Sequence, residues 1–452
     1  MSAALDLLSS AWVPVFLLLG LTLYCRTRVS NWLVPSAFFG LYWFCFVVAS
    51  LLAVDHRVPG LGMWALVSMI IAVQLGSMLG ETQGEQTGEE EPQREDIRRE
   101  QNQAAPAENV QLERIIRLRA LPACALLTLG ATAALVYFAL YSLNLFHQSF
   151  SFISLVQMAA RWTLLRYDGF IDPWPLRLAA IWVYPPALVG GLLFTLSRSF
   201  RDKSIAIASL FPGLLLTVLS GGRVAFVIAG VCWLGGCWST RACRAETRRG
   251  FFRLKSGLLM GAGALALLLL YAGVNSLRGA KDASDARDLS LDFNSAQIRN
   301  YMFGMPAAFA EWFDRDQQDS VHWGALTFPG PFTLLGIRQR TLGTYTDSAP
   351  TVGLEGTNIF TIFRGLVQDF TLGGAFLISG LWGFFGGRDY CRRSLQPGTI
   401  LGLSAYYAVA LFSPLMCLFS FNSPIFAWVV AWLVLRRRNG NPIRFSSQAR
   451  TR

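Results

Sequence analysis

The chain has 452 residues, of which 53% are hydrophobic and only 15% are charged, and it includes 14 Trp and 33 Phe. This composition is too apolar for a soluble globular protein of that length and is typical of an integral membrane protein. The net charge of +11 is spread between apolar stretches of membrane-spanning length, so we interpret it as a determinant of membrane topology and expect no binding of nucleic acid.

Apolar stretches that could cross a bilayer recur along the whole chain. A transmembrane helix needs about 20 mostly apolar residues. Such stretches lie near residues 8–25, 32–53, 60–80, 120–142, 178–197, 204–220, 224–239, 257–276, 371–387, 398–417 and 424–435. The sequence therefore predicts an all-α polytopic membrane protein with about 11 transmembrane helices.

Lys and Arg collect in every second connection between these stretches. Short basic loops are retained on the cytoplasmic side of a membrane. With the N terminus outside, 26 of the 39 basic residues fall inside, most densely in the 240–256 loop and in the tail at 436–452. The predicted topology therefore has the N terminus outside and the C terminus in the cytoplasm.

Two long polar segments divide the chain. Residues 81–119 are rich in Glu, Gln and Arg and predict a disordered cytoplasmic linker. Residues 277–357 contain Trp, Tyr and Phe among their charges, so we expect a folded, partly helical loop outside the membrane, between helices 8 and 9. The other predicted units are helices 1–3 in 1–80, helices 4–8 in 120–276, an interfacial helix with helices 9–11 in 358–435, and a basic cytoplasmic tail in 436–452.

Arginines on the predicted outer side are the first candidate functional residues. Arg223 ends the short turn Ser-Gly-Gly-Arg between the sixth and seventh helices, where an ionisable residue indicates function. The two glycines would let a phosphate approach the backbone, and an arginine that snorkels to lipid headgroups is the alternative. Arg278, Arg338 and Arg340 also lie outside the membrane. One guanidinium group can bind two phosphate oxygens at once, and it stays charged at any relevant pH. A cluster of arginines therefore suits a diphosphate.

Acid–base candidates are few. His322, beside Trp323 in the long loop, is the best placed histidine, and a structural histidine is the alternative interpretation. The sequence does not choose among the carboxylates in reach, which are Glu311, Asp314, Asp347 and Glu355. No phosphate-loop, dinucleotide-binding or zinc-protease motif occurs, so we expect no cofactor and no metal ion.

The stretch 356–374 has apolar residues at helical spacing on one side. On another side lie the polar residues Asn358, Thr361, Arg364 and Gln368, with Asp369 at the edge. The pattern predicts an interfacial helix that leads into the ninth transmembrane helix and turns a polar stripe toward a cavity. An amphipathic helix that lies on the membrane with a wet face is the alternative.

Several of these features resemble one family, the O-antigen polymerases (Wzy family), which join oligosaccharide repeat units of bacterial surface polysaccharides. The likeness lies in the number of helices, the late external loop, the Ser-Gly-Gly-Arg turn and the run from Thr357 to Gly374. Family members commonly show an Asn-aromatic-Thr start and a later Asp-Phe-Gly. Here Asn358, Phe360 and Thr361 match the start, whereas Asp369-Phe370 is followed by Thr371.

The resemblance implies a GT-C-like fold and a metal-independent membrane glycosyltransferase. The growing glycan would pass from undecaprenyl diphosphate to the non-reducing-end sugar hydroxyl of a new lipid-linked repeat, at the periplasmic face of the bacterial inner membrane. By position, the resemblance assigns catalytic roles to Arg223 and Asp369, and we add His322 and Glu355 as acid–base candidates from their place in the loop. The expected diphosphate- and glycan-binding residues are Asn358 and Arg364, in the matching run, and Arg278, Arg338 and Arg340, which the predicted topology places on the outer side.

The partners implied by the resemblance are the undecaprenyl-diphosphate-linked oligosaccharide, membrane lipids and a polysaccharide chain-length co-polymerase. Two alternative functions stay open. An O-antigen ligase of the same fold would use the same arginines and a different acceptor. A lipid-linked oligosaccharide flippase or transporter is less consistent with the long loop and with the absence of a repeat between the two halves of the chain.

Overall fold

Long apolar helices make up most of the structure. The computed structural model describes residues 10–29, 31–54, 57–86, 93–167, 173–220, 224–244, 291–315, 321–337, 345, 349–352, 355–357, 360–392 and 395–436. Its first nine helices are α1 (Trp12–Val29), α2 (Pro35–Ala53), α3 (Gly60–Gln86), α4 (Gln93–Leu145), α5 (Phe152–Tyr167), α6 (Trp174–Leu196), α7 (Phe200–Ala208), α8 (Phe211–Ser220) and α9 (Val224–Cys243). The later helices are α10 (Leu291–Arg315), α11 (Pro329–Leu334), α12 (Ile362–Arg392), α13 (Pro397–Phe412) and α14 (Asn422–Leu435).

Three short elements complete the described part of the chain. A 3₁₀ helix, Leu418–Ser420, lies between α13 and α14. Strands β1 (Ala349–Val352) and β2 (Glu355–Thr357) pair as a small antiparallel hairpin. The predicted all-α fold class is therefore confirmed for the bulk of the described residues.

Eight helical segments among the described residues are long and apolar enough to cross a membrane. They coincide with the first seven predicted stretches and with the ninth. α13 and α14 match the tenth and eleventh stretches but, with 16 and 14 residues, are shorter than these eight segments. The eighth stretch, 257–276, lies outside the described residues. The chain is thus a multi-pass α-helical membrane protein, and the total of 11 transmembrane helices stays a prediction.

The helices turn apolar side chains outward and hold polar groups inside. Phe16, Leu126 and Leu377 are between 64% and 69% exposed, whereas Thr22 and Gln74 are completely buried. A soluble protein has the opposite arrangement. In a bilayer the apolar exterior contacts lipid, and polar side chains bond to one another between helices.

Basic residues from several helices meet at one end of the bundle. Arg244, just after α9, pairs with Glu113 of α4 and donates a hydrogen bond to the carbonyl of Thr195, at the end of α6, at 2.6 Å. Arg119 of α4 donates to the carbonyl of Arg436, just after α14, at 2.8 Å. These contacts group the helix ends as the charge distribution predicts. We call this end of the helix bundle the basic end. The opposite end holds the candidate functional site described below, and we call it the site end.

The segment 81–119, predicted to be a disordered linker, is largely helical instead. α3 continues to Gln86 and α4 already begins at Gln93, while 87–92 lie outside the described residues. Glu, Gln, Ala and Arg favour helix, and a helix that has formed in the membrane extends into such a sequence without a new nucleation step. The low apolar content of segment 81–119 therefore did not indicate disorder.

Glu81, which the prediction placed in that linker, is buried between α2 and α3. Its carboxylate accepts the backbone N–H of Ser36 at 3.3 Å and the Ser36 hydroxyl at 3.2 Å. Ser36 lies in the first turn of α2, where Val34 provides no side-chain cap. Glu81 therefore supplies the acceptor that the N terminus of α2 lacks.

We expect Glu81→Ala to lower the stability of the protein by about 1–3 kcal/mol, because two buried donors of Ser36 lose their acceptor. The measurement is the thermal unfolding midpoint of the purified protein in detergent. Leu79→Ala, at a position of the same helix that is 63% exposed, is the matched control and should leave the midpoint nearly unchanged. Equal midpoints for the two variants would rule out the capping role.

α12 packs on α3 along a seam of glycines. A Cβ atom added at Gly76 would lie 2.0 Å from the carbonyl oxygen of Gly380, and one at Gly383 would lie 2.0 Å from that of Val73. Small residues let helix backbones approach closely in a membrane. The seam fixes α12 against α3 and so determines where the first residues of α12 lie.

α12 consists of two helical parts that meet at Thr371, which has φ 63° and ψ 172°. This backbone region is unfavourable for any residue other than glycine, and Thr371 stands where the resembled family usually has glycine. The first part, 362–370, lies inside the bundle. Ile362 N–H donates to the carbonyl of Ser413 at 2.9 Å, and the indole N–H of Trp43, midway along α2, donates to the Ser413 hydroxyl at 3.0 Å.

The predicted external loop is partly helical, as expected. α10 is one helix that continues through Pro306. It covers the site ends of α2 and α3, since Ala307 N–H donates to the Ser50 hydroxyl at 3.3 Å and a Cβ at Gly62 would lie 2.2 Å from the carbonyl oxygen of Ala310. The side of α10 that faces the bundle includes Trp312, which is 4% exposed.

Candidate functional site

The end of the first part of α12 holds a turn from the long loop. His322 N–H donates to the carbonyl of Gln368 at 3.2 Å, and Trp323 N–H donates to the carbonyl of Asp369 at 3.1 Å. Carbonyl groups at the end of a helical segment have no donor within the helix and need donor partners outside it. Because the helix kinks at Thr371, the carbonyls of Gln368 and Asp369 are open to the N–H groups of this turn.

The side chain of Asp369 fastens the same turn more firmly. Its Oδ1 accepts the N–H of Leu326 at 3.1 Å, and its Oδ2 accepts the N–H of Thr327 at 2.6 Å. Hydrogen bonds to a charged acceptor are the stronger ones. Asp369 is 0% exposed, so the geometry favours a positioning role, whereas the predicted catalytic role requires a carboxylate that faces substrate.

Arg364 is a buried cation surrounded by aromatic rings. Its guanidinium carbon lies 3.9 Å from the ring centre of Phe360, 4.0 Å from that of Tyr345 and 4.8 Å from that of Trp312. Its Nε donates to Oε1 of Gln368 at 3.4 Å, and the residue is only 3% exposed. Ring faces attract cations more strongly when both are desolvated. The fold therefore maintains a positive charge inside the site end.

A small cavity of about 10 Å³ adjoins Arg364, which is not part of its lining but packs on Tyr345, a residue that is. Its lining includes Thr327, Tyr345, Thr361, Gly365, Cys417 and Ser420. A Cβ at Gly365 would lie 3.1 Å from Oγ1 of Thr327 and 3.3 Å from the Tyr345 hydroxyl, so glycine leaves room between these groups. Within the described residues, Oγ1 of Thr327 and Oγ1 of Thr361 are buried and have no hydrogen-bond partner. Such atoms are rare in proteins and indicate a place for one polar atom, such as a water or phosphate oxygen.

The structure brings together only some of the predicted site residues. Thr361, Arg364 and Gln368, from the predicted polar stripe, lie around the cavity and the aromatic rings. His322 stands on the turn that Asp369 holds, and its side chain is exposed. The neighbouring Trp323 is 75% exposed and has a positive φ of 50°, so the turn presents both side chains outward.

Five of the predicted site residues lie outside the part of the chain that the structure describes. They are Arg223, Arg278, Arg338, Arg340 and Asn358. Glu355 belongs to β2, and the described part of the structure does not include its side chain. α8 ends at Ser220 and α9 begins at Val224, so the connection that carries Arg223 joins the site ends of these two helices.

Sequence reasoning missed the contributions of Trp312, Thr327 and Tyr345. They come from three separate places in the long loop and meet only because α12 turns back into the bundle. A single threonine or tyrosine carries no signal of this kind in a sequence. The uncharged run 324–337, which contains Thr327, was the one available sign that this part of the loop differs from the rest.

Comparisons of the chain with protein-family models, with curated proteins and with solved structures found no match. The geometry of the described residues is therefore the basis for a functional assignment. Its central features are the buried guanidinium of Arg364, the adjoining hydroxyl-lined cavity, and the turn that Asp369 holds in place.

Proposed function

We propose that this protein is a membrane glycosyltransferase that polymerises lipid-linked oligosaccharide repeat units. The growing glycan is transferred from undecaprenyl diphosphate to the non-reducing-end sugar hydroxyl of a new lipid-linked repeat. The observation that carries the proposal is the charged Arg364 buried beside a cavity lined by hydroxyl groups. Because short basic loops remain in the cytoplasm, the basic end is cytoplasmic and the site end faces the periplasm.

The chemistry of the transfer fits these groups. The oxygen of the acceptor hydroxyl bonds to the anomeric carbon of the donor, and the bond from that carbon to the diphosphate oxygen breaks with its electron pair. The leaving diphosphate gains charge in the transition state, which a fixed guanidinium stabilises. The hydroxyls of Thr327, Thr361 and Tyr345 can donate to one oxygen of the diphosphate.

The proton of the acceptor hydroxyl needs a base at the site end. His322 fits this role by its exposed position on the turn that covers the end of the first part of α12, since an imidazole accepts protons near neutral pH. Asp369 then acts through the turn, because its carboxylate determines where His322 stands.

The decisive experiment uses the purified protein in liposomes with a lipid-diphosphate-linked repeat unit and no nucleotide. A ladder of glycans that differ by whole repeats, insensitive to EDTA, supports the polymerase. Transfer only to added lipid A core would indicate the ligase instead. Movement of the lipid-linked repeat across the bilayer without any new glycosidic bond would indicate the transporter.

Arg223→Ala is expected to abolish the ladder while the amount of protein in the membrane stays normal. The reason is that a guanidinium at the external turn between α8 and α9 would bind the donor diphosphate. The measurement is the glycan ladder from equal amounts of reconstituted protein. Arg161→Ala, at an exposed arginine of α5, is the control, and a normal ladder from the Arg223 variant would remove this residue from the site.

A further inference from the structure

The loop before α12 contains a run that is unlike an aqueous loop. Residues 324–337 include no charged side chain, whereas Arg338 and Arg340 follow immediately. An apolar run of about 10–14 residues is too short to span a bilayer and is typical of re-entrant or interfacial segments. The sequence interpretation placed the whole of 277–357 outside the membrane, and this run is the exception.

α14, which lies beneath this run, is too short to reach across a bilayer. α14 has 14 residues, which at 1.5 Å per residue give a length of about 21 Å, against about 30 Å for the hydrocarbon core. Its last turn lies at the basic end, where Arg436 contacts Arg119. With this last turn at one boundary of the core and the helix along the membrane normal, its first residue, Asn422, would lie about 9 Å short of the opposite boundary. The chain between α13 and α14 would then turn around inside the bilayer.

The run 324–337 is fastened onto this recessed turn. The hydroxyl of Ser420 donates to the carbonyl of Thr327 at 2.9 Å, and the amide of Asn422 donates to the carbonyl of Gly330 at 3.0 Å. A Cβ at Gly330 would lie 2.5 Å from the carbonyl oxygen of Ser420, so only glycine allows this approach. α11 thus occupies the layer that α14 does not reach.

The side chains that α11 and its flanks turn outward are large and apolar. Trp323, Leu334, Leu335 and Ile337 are 75%, 77%, 71% and 66% exposed. On a water-facing surface such a group is unusual. Facing acyl chains, it continues the apolar exterior of the transmembrane helices.

Most backbone N–H groups of the run have an internal partner, as a lipid environment requires. Pro329 and Pro331 have no N–H. The N–H groups of Phe332, Leu335 and Ile337 donate to the carbonyls of residues 328, 331 and 332 at 3.0–3.3 Å.

We propose that residues 323–337 are embedded among phospholipid acyl chains of the site-end leaflet, with Leu334, Leu335 and Ile337 in contact with the lipid. Thr327, within this segment, lines the cavity. As a consequence that rests on the proposed function, the polyprenyl-linked donor reaches the cavity from within the bilayer.

The test places the photoreactive residue p-benzoylphenylalanine at Leu335 of the full-length protein in phosphatidylethanolamine–phosphatidylglycerol liposomes. After irradiation, mass spectrometry of the digested protein measures phospholipid adducts on the labelled peptide. Arg315, at the end of α10 with a side chain that is 58% exposed, is the control position. We expect at least several-fold more lipid adduct at Leu335 than at Arg315.

A yield at Leu335 equal to that at Arg315 would overturn the proposal, as would cross-linking at Leu335 to a second protein chain in place of lipid. Leu334 provides a second position if the label at Leu335 prevents folding. The assay contains no glycan substrate, so a negative result here is separate from a negative result in the polymerisation assay.

Discussion

Replacing Arg364 by alanine is expected to reduce glycan polymerisation by at least about 100-fold, which is the range for removal of a buried group that stabilises transition-state charge. The guanidinium packs on the ring of Tyr345, and Tyr345 also lines the cavity, whose described lining includes no charged residue. The measurement is the initial rate of ladder formation by equal amounts of reconstituted protein.

Three further variants separate the charge of Arg364 from its packing. Arg364→Lys keeps a positive charge but loses the flat group that lies against Phe360, Tyr345 and Trp312, so we expect an intermediate rate. Arg364→Met keeps bulk without charge and should be as inactive as the alanine variant while unfolding near the wild-type temperature. Arg392→Ala, at an arginine of the basic end with a side chain that is 55% exposed, should polymerise normally. A ladder of normal rate from Arg364→Met would exclude the electrostatic role.

Replacing Asp369 by alanine should release the turn 321–328 and cause a comparably large loss of polymerisation. The N–H groups of Leu326 and Thr327 would lose the carboxylate that accepts them, at a cost of about 1–3 kcal/mol for the buried N–H of Thr327 and less for the partly buried N–H of Leu326. Both the thermal midpoint and the rate should therefore fall. The rate of ladder formation and the unfolding midpoint, measured on the same preparation, check this expectation.

The conservative variant Asp369→Asn distinguishes positioning from catalysis. The amide keeps one acceptor oxygen but turns an NH₂ donor toward a backbone N–H, so we expect a partial loss of rate. If Asp369 only positions the turn, the pH dependence of the remaining activity keeps its wild-type shape. Disappearance of one limb of that profile would instead identify Asp369 as the base.

Apolar stretches predicted the membrane helices well because hydrocarbon thickness fixes how long such a stretch must be. The start of α12 was also predictable, since the polar stripe through Thr361, Arg364 and Gln368 repeats at helical spacing. The depth of this helical part in the bundle was not predictable. It depends on the backbone hydrogen bond between Ile362 and Ser413 and on the backbone conformation of Thr371, and the residue pattern indicates neither of them.

The contact between Asp369 and the turn shows a second limit of sequence reasoning. The residues that it joins are 42 and 43 positions apart, and the donors are backbone N–H groups that every residue other than proline possesses. Asp369 was therefore identifiable as a candidate, but its partners were not. Glu81 is a similar case, because a glutamate at the edge of a polar segment gives no sign that it caps the neighbouring helix.

The glycine seam between α3 and α12 has a consequence for how such a fold can vary. Where two helix backbones are in contact, the sequence must keep glycine at the contact positions. Lipid-facing neighbours such as Leu377 and Leu381 can be replaced by other apolar residues. Two chains can then share this helix pairing, and the position of the residues that follow Thr361, while having few identical side chains in common. Sequence divergence in such proteins is therefore a poor measure of divergence in architecture.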